Sequence, residues 1–313
     1  MIQFKNLLAA LLVALTTIAA EGQQTLAARL GYDAGAKLLI IHADDAGAAH
    51  SVNAATIAAF EGGGISSSSI MVPCPWFPEI AAYAAAHPGM DFGLHLTLTA
   101  EWEYYKWGGA LPAAETPGLL GPGGYFYASV EEVVQHATPD EVEREIRAQV
   151  ERALAFGIKP SHLDSHMGTL FATPEFFAAY LKVGREYGIP VFVPLRANDA
   201  ASGAPPASAM PGVIPVDNLY MMNPGIAAEG WPSFYTGIAG KLQPGLNEII
   251  VHLAHDNEEM QAVAAGHPDF GAAWRQRDYD VMVSGDFKKR LAENGIRLVT
   301  WRQIQQLEYP GKD

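Results

Sequence analysis

The sequence predicts an α/β protein, a single domain in which parallel strands alternate with helices and the sheet closes, or nearly closes, into a (β/α) barrel. Short unbroken apolar runs such as Leu38-Leu39-Ile40-Ile41 have the pattern of strands buried on both faces, which is the pattern of a parallel sheet. Segments with helix start and stop signals separate these runs, and that alternation is the order of a βα barrel. Neither an internal repeat nor a linker interrupts the pattern, so residues 37–307 are read as one barrel.

The first residues are read as a targeting segment. One Lys and no acid precede a run of fourteen almost wholly apolar residues, Leu7 to Ala20, and polar EGQQ follows. That is the shape of a secretory signal over residues 1–20, with cleavage expected after Ala19 or Ala20. Lys37 to Gly47 (KLLIIHADDAG) then opens the fold as a strand that ends abruptly in His42, Asp44 and Asp45. Ser51 is placed to cap a small-residue helix to about Phe60, closed by Gly62, Gly63 and Gly64. Ile65 to Val72 reads as a second strand, Phe77 to Ala86 as a helix stopped by Pro88, and Asp91 to Leu98 as a third strand carrying His95.

Thr99 to Ser129 is an insertion with Trp102, Tyr104, Tyr105, Trp107, Tyr125, Phe126 and Tyr127 among glycines and prolines, expected to pack as a cap or to offer a stacking surface. Thr138 opens the clearest helix: Pro139 lies in its first turn, Glu141 completes a capping box, and Val142, Ile146, Val150 and Leu154 make one stripe ending at Gly157. A strand from Ser161 to Gly168 follows, then a second Thr-Pro helix start at Thr173 running to about Tyr187, and a fifth strand from Val191 to Arg196. The segment from Ala197 to Gly245 has short apolar runs, Val213 to Val216 among them, and aromatic residues Tyr220, Trp231, Phe234 and Tyr235 that read as exposed. Glu248 to Leu253 is another buried strand, Asp286 to Asn294 a helix closed by Gly295, and Arg297 to Trp301 a last strand.

With 20 Lys plus Arg against 34 Asp plus Glu, the net charge of −14 makes nucleic acid and anionic membrane surfaces poor partners and suits a small neutral or cationic ligand. The single cysteine, Cys74, excludes an internal disulfide and a thiolate-rich zinc site, and its apolar neighbours read as core.

Two adjacent carboxylates at the end of a buried strand repel each other and lose hydration, so Asp44 and Asp45 require a cation, a shared proton or hydrogen bonds. His95, the cluster His162, Asp164 and His166, and His252 with His255 also fall at strand ends. A parallel barrel gathers such ends on one face. Imidazole and carboxylate without thiolate suit a borderline divalent metal, Zn²⁺ first, with Co, Ni, Mn or Mg as other occupants. One carboxylate of the pair would suffice as a ligand, leaving its neighbour to take the proton of an activated water.

HADDAG at His42, GLHLTL at Gly93 and SHLDSH at Ser161 together resemble the three successive signatures of the YdjC-like carbohydrate deacetylases, which include chitooligosaccharide deacetylases. The resemblance covers most of the chain from Lys37 to Trp301. It implies a distorted (β/α) barrel of the polysaccharide-deacetylase type, with metal ligands at Asp45, His95 and His166, the general base at Asp44 and the general acid at His252. Arg196 is expected to orient Asp44 or to steady charge, and His162 and Asp164 to fix the ligands, with His255 nearby. The chain departs from the pattern at Ala46, where a phenylalanine is usual, and at Met167, Gly168 and Thr169, where further histidines are usual. These departures point to a differently shaped pocket.

The expectation is therefore a secreted or periplasmic, metal-dependent hydrolase that removes an acetyl group from an N-acetylated sugar or oligosaccharide, without stable membrane association once the signal is removed. The competing expectations are an exported sugar-binding protein without turnover and a metal hydrolase of another amide or an ester. Sequence leaves the oligomeric state open.

Overall fold

The computed structural model describes residues 24–194 and 212–311. The proposed signal segment 1–20 and Arg196 lie outside the described residues. In chain order the strands are β1 (Lys37–Ala46), β2 (Ser67–Ile70), β3 (Phe92–Leu96), β4 (Leu163–Ser165), β5 (Val191–Pro194), β6 (Val213–Val216), β7 (Asn218–Met221), β8 (Gly245–His252) and β9 (Arg297–Leu298). The helices are α1 (Leu26–Arg29), α2 (His50–Glu61), α3 (Phe77–Ala86), α4 (Val130–His136), α5 (Pro139–Ala155), α6 (Pro174–Tyr187), α7 (Trp231–Ala239), α8 (Glu258–Val263), α9 (Ala272–Val283), α10 (Gly285–Glu293) and α11 (Trp301–Glu308).

All pairings between these strands are parallel, in the order β6-β5-β4-β3-β2-β1-β8-β7. The two ends of that order are one piece of chain. Only Asp217 separates β6, which pairs with β5, from β7, which pairs with β8. At the bend Asp217 N donates to Leu246 O at 2.9 Å and Asp217 Oδ2 accepts from Leu246 N at 2.8 Å. A single bent stretch thus changes partners and bridges the last gap of the barrel. On the opposite side, β9 pairs with the start of β1 while β2 pairs with its end.

The unbroken apolar run of β1 now has its reason. Leu38 and Ile40 face the barrel interior with Phe192, Ile214, Val216, Leu246 and Trp301, while Leu39, Ile41 and Ala43 face outward onto α7, α9 and α10. The interior group seals the lower end of the barrel. The upper end holds polar residues.

Several elements differ from expectation in informative ways. Ala49, not Ser51, precedes α2, and the cap comes from afar: Glu259 accepts from His50 N and Ser51 N. In α5, Val142, Ile146 and Val150 are buried as read, but Leu154 is exposed and Ala153 takes its place. At 3.6 residues per turn Ala153 lies about 20° from Val142 around the helix and Leu154 about 120°. The strand expected from Ser161 stops at Ser165, and His166 begins a 3₁₀ turn, His166–Phe171, with left-handed Met167 at φ 52°. Trp231 and Tyr235 are buried, not exposed, because both donate to the buried carboxylate of Asp278, at 2.8 and 2.6 Å. The last strand keeps only Arg297 and Leu298, and Thr300 caps α11 instead.

The aromatic insertion is a cap with a packed underside. Trp102, Trp107 and Phe126 are buried, whereas Tyr104 and Tyr125 are exposed. Helix α5 ties it down: Glu145 accepts from Ala110 N and Leu111 N, Glu141 from Gly118 N, and Gln149 brackets both backbone groups of Thr97 at the end of β3.

Candidate active site

Strand register assembles the site. Asp44 lies opposite His252 in the β1–β8 ladder, and His95 lies opposite Asp164 in the β3–β4 ladder. Alternation along β1 would send Asp44 and Asp45 to opposite faces. They share one face because Asp45 has φ 64° and the β1–β2 register shifts between Ala43 and Ala46. A short polar side chain tolerates that left-handed conformation better than most.

Asp45 Oδ1 stands 3.4 Å from His95 Nε2 and 3.4 Å from His166 Nδ1, and those two nitrogens are 3.1 Å apart. Asp45 Oδ2 accepts from Arg275 Nη2 at 2.7 Å. The outer nitrogens of both imidazoles face carboxylates: His95 Nδ1 meets Asp164 at 2.7 Å and His166 Nε2 meets Glu101 at 3.0 Å. Ionised carboxylates only accept, so each imidazole donates outward, and the inner nitrogen facing Asp45 is the one that would lose its proton to serve a metal. Asp164 is itself fixed by Ser69 at 2.8 Å and His42 at 3.0 Å.

Asp44 Oδ1 lies 3.3 Å from His252 Nε2 and Asp44 Oδ2 3.8 Å from His95 Nε2. The backbone N–H of His252 donates to Asp278 Oδ2 at 3.1 Å, and the Phe270 ring stands edge-on to its imidazole. Arg275 is gripped from three sides, by Asp45, by the Phe270 carbonyl at 2.6 Å and by the face of Trp102 at 5.5 Å.

The electrostatics ask for positive charge. Burial pushes the Asp45 carboxyl up, but Arg275 and His166 overcome it and hold the group well below the usual range. Burial disfavours charge on His166, yet Glu101 and Asp45 raise it to about 10, and Asp164 likewise raises His95 against burial. The inner oxygens Asp44 Oδ1 and Asp45 Oδ1 are buried with no hydrogen-bond partner among the described residues. Asp45, His95 and His166 offer one oxygen and two nitrogens within 4.8 Å of one another. A donor set of this chemistry, with orphaned inward oxygens, is compatible with a divalent metal.

The structure thus brings together Asp44, Asp45, His95, His166 and His252. It does not bring His162 into this group: the ring stacks on Trp301 and overlies Gly93, with its Nε2 3.9 Å from Asp164 behind the His95 ring. His255 packs against Tyr279 away from the centre. Of the departures from the family pattern, Met167 and Gly168 line the cavity beside the centre, and Ala46 does not. The sequence reading missed Glu101, Arg275 and Asp278. Arg275 and Asp278 had one signal, two ionic residues at i, i+3 among Trp274, Val281 and Met282, the spacing of a buried polar pair on an apolar helix face.

A cavity of about 480 Å³ opens at the centre. It runs between the metal-ligand candidates on one side and Phe171, Phe192, Pro194 and Ile250 on the other.

Comparison with known proteins places the chain in a family. The family model described as YdjC-like protein matches residues 38–293. The chain is 30% identical over 282 residues to a carbohydrate deacetylase of Thermus thermophilus, covering 89% of this chain and 97% of that one. It is 25% identical to a carbohydrate deacetylase of Geobacillus stearothermophilus, covering 86% and 98%. A crystal structure from Enterococcus faecalis, provisionally described as a cellobiose-phosphate cleavage protein, shares the fold with a TM-score of 0.72 at 23% identity, covering 86% of this chain and 99% of that one. By its motifs, its barrel and these matches, the chain belongs to the YdjC-like family.

Proposed function

We propose that this protein is a carbohydrate deacetylase, hydrolysing the acetamide of an N-acetylated sugar to acetate and a free amine. The observation that carries the reading is the convergence of Asp44, Asp45, His95, His166 and His252 from three strand ends and a 3₁₀ turn on one cavity. Asp45, His95 and His166 would hold the metal, with Zn²⁺ favoured by the mixed imidazole and carboxylate donors. Such an ion, when bound, polarises a carbonyl and lowers the pKa of water from ~15.7 toward ~7.

The chain's own residues divide the proton work. Asp44, free of the Arg275 clamp that holds Asp45, takes the proton of the attacking water. As the C–N bond breaks, His252 gives a proton to the departing nitrogen, so that the amine leaves neutral. Asp278 fixes the backbone that carries His252. Arg275 orients Asp45 and offsets the charge of the paired acids, the office expected of Arg196 for Asp44.

The apolar segment Leu7 to Ala20 supports export, with the mature chain beginning near Glu21. No helix among the described residues is long and apolar enough to cross a membrane. Metal analysis of the purified protein and acetate release from a panel of N-acetylated sugars test the reading. Stoichiometric metal with acetate release is expected, and tight sugar binding without acetate would replace it with a binding protein.

A further inference from the structure

We propose that Glu248 is a specificity-determining residue, a hydrogen-bonding group at the closed floor of the cavity that recognises a hydroxyl at the end of an uncharged sugar. The inference rests on the deacetylase reading and names the part of the substrate that the pocket selects.

Three observations carry it. His252, Ile250 and Glu248 are alternate residues of β8, and all three line the same cavity. At about 3.3 Å per residue, Glu248 lies roughly 13 Å below His252 along the strand. The cavity is therefore a shaft into the barrel rather than a groove across it. Its lower end is closed by the interior apolar group that includes Ile40, Phe192 and Leu246. A shaft with a sealed floor receives the end of a molecule, and a polymer lying across the mouth would leave it empty.

The second observation is the residue itself. Glu248 is 2% exposed, and its Oε2 has no hydrogen-bond partner among the described residues. The Trp301 indole N–H lies near enough to pull on its charge, but it makes no well-formed hydrogen bond among the described residues. A buried carboxyl with an oxygen left unpartnered costs stability unless something else uses it. Among the described residues no arginine or lysine pairs with it, unlike Asp45.

The third is its surroundings. Phe171, Phe192, Pro194 and Ile250 make the walls apolar, which suits the C–H faces of a pyranose ring. Burial pushes the Glu248 carboxyl up to about 8, against the pull of His42, so at neutral pH it is a neutral acid that both donates and accepts. Hydroxyl groups match that chemistry. A phosphate or carboxylate end would meet no arginine or lysine at the floor among the described residues, and His42 nearby is already paired with Asp164 at 3.0 Å.

The test begins with wild-type protein and the N-acetylated mono- or disaccharide of the panel that it turns over best. Absence of acetate from every sugar would remove the deacetylase reading and this proposal with it. Given turnover, Glu248→Leu should raise KM by about tenfold with kcat little changed, the loss of one hydrogen bond made equally in ground and transition state. Glu248→Gln keeps a neutral donor and acceptor and should give back most of that loss. In wild-type protein, one monodeoxy analogue of the same sugar should show the KM penalty, a readout that needs no variant to fold. An unchanged KM in Glu248→Leu, or no monodeoxy analogue with a raised KM, would overturn the proposal while leaving the deacetylase reading standing. Faster turnover of an N-butanoyl than of an N-acetyl sugar would also overturn it, since the shaft would then hold the acyl chain.

Discussion

Asp44 and Asp45 are neighbours in sequence with the same side chain, and their surroundings make them different groups. Asp45 is held on one oxygen by Arg275 and turns the other to two imidazoles, whereas Asp44 faces His252 and keeps an unpaired oxygen. Asp44→Asn should therefore retain metal and lose turnover by a factor on the order of 10²–10⁴, the usual worth of a positioned base. Asp45→Asn should lose metal first. Metal content and acetate release on both variants decide between these roles, and a metal-free Asp44→Asn would exchange them. A residue further out, Asp164 fixes the His95 ring and is held by Ser69 and His42, so Asp164→Asn should weaken metal binding by about 10–100-fold, measured by competition with a chelator. The residue types of this centre were legible, because paired acids and imidazoles at strand ends are hard to explain otherwise. The left-handed turn at Asp45 was not, since Gly47 signals a turn without saying where the chain twists. Arg275 was hidden for a different reason: it reaches the site from a helix 230 positions away, and nothing near Asp45 points to it.

Elements transmit small changes into the centre because the strands that carry the ligands have no slack. A Cβ on Gly93 would lie 2.3 Å from His162 Cε1 and 2.4 Å from its Nδ1, and that ring is stacked on Trp301 and cannot move aside. Gly93→Ala should then push β3 outward, destabilise the fold by about 1–3 kcal/mol as overpacked cores do, and weaken metal binding through His95 two residues on. Denaturant unfolding and metal titration measure the two effects together. An unchanged midpoint would mean that the His162 ring has room the structure does not show. The sequence marks of the elements were uneven. Caps at Thr138 and Thr173 placed α5 and α6 within a residue or two, because a side-chain cap and an adjacent proline act locally. Helix α11 carries the same kind of mark, Thr300 with Gln303, but it follows a short apolar run that read as strand. Helix α9 had no such mark. Its buried face mixes Trp274, Val281 and Met282 with Arg275 and Asp278, which erases the apolar stripe by which amphipathic helices are found.

At the scale of the whole molecule, the alternation of strand and helix was enough to expect a barrel, but its closure was not readable. Asp217 bends one stretch so that its halves serve β5 and β8, and Gly245 at φ 109° leaves the space that the Asp217 carboxylate fills. Both are single residues in a segment of low pattern. The barrel also encloses ionisable groups whose charge costs depend on pH, and the sign follows from their shifts. Glu248 goes from an ordinary 4.5 to about 8 on folding, because burial outweighs the pull of His42. The folded chain thus binds a proton there that the unfolded chain has released, and stability is lost as pH rises from about 4.5 through about 8. Burial lowers His42, but Asp164 raises it further, to about 9 from 6.5, so its contribution is complete below 6.5 and lost as pH rises through 9. Both groups weaken the fold in alkali, in two overlapping windows. Glu248→Gln removes the first and leaves the second, so the variant should hold its stability between about pH 4.5 and 6.5 where wild type declines, and should fall less steeply than wild type from about 6.5 to 8. Unfolding free energies by denaturant at several pH values, with metal concentration fixed, measure this directly. The contribution of metal binding is common to both proteins and cancels in the difference. Parallel pH profiles for the two would show that Glu248 is already ionised in the folded barrel, with a cation at the floor of the cavity to hold it so.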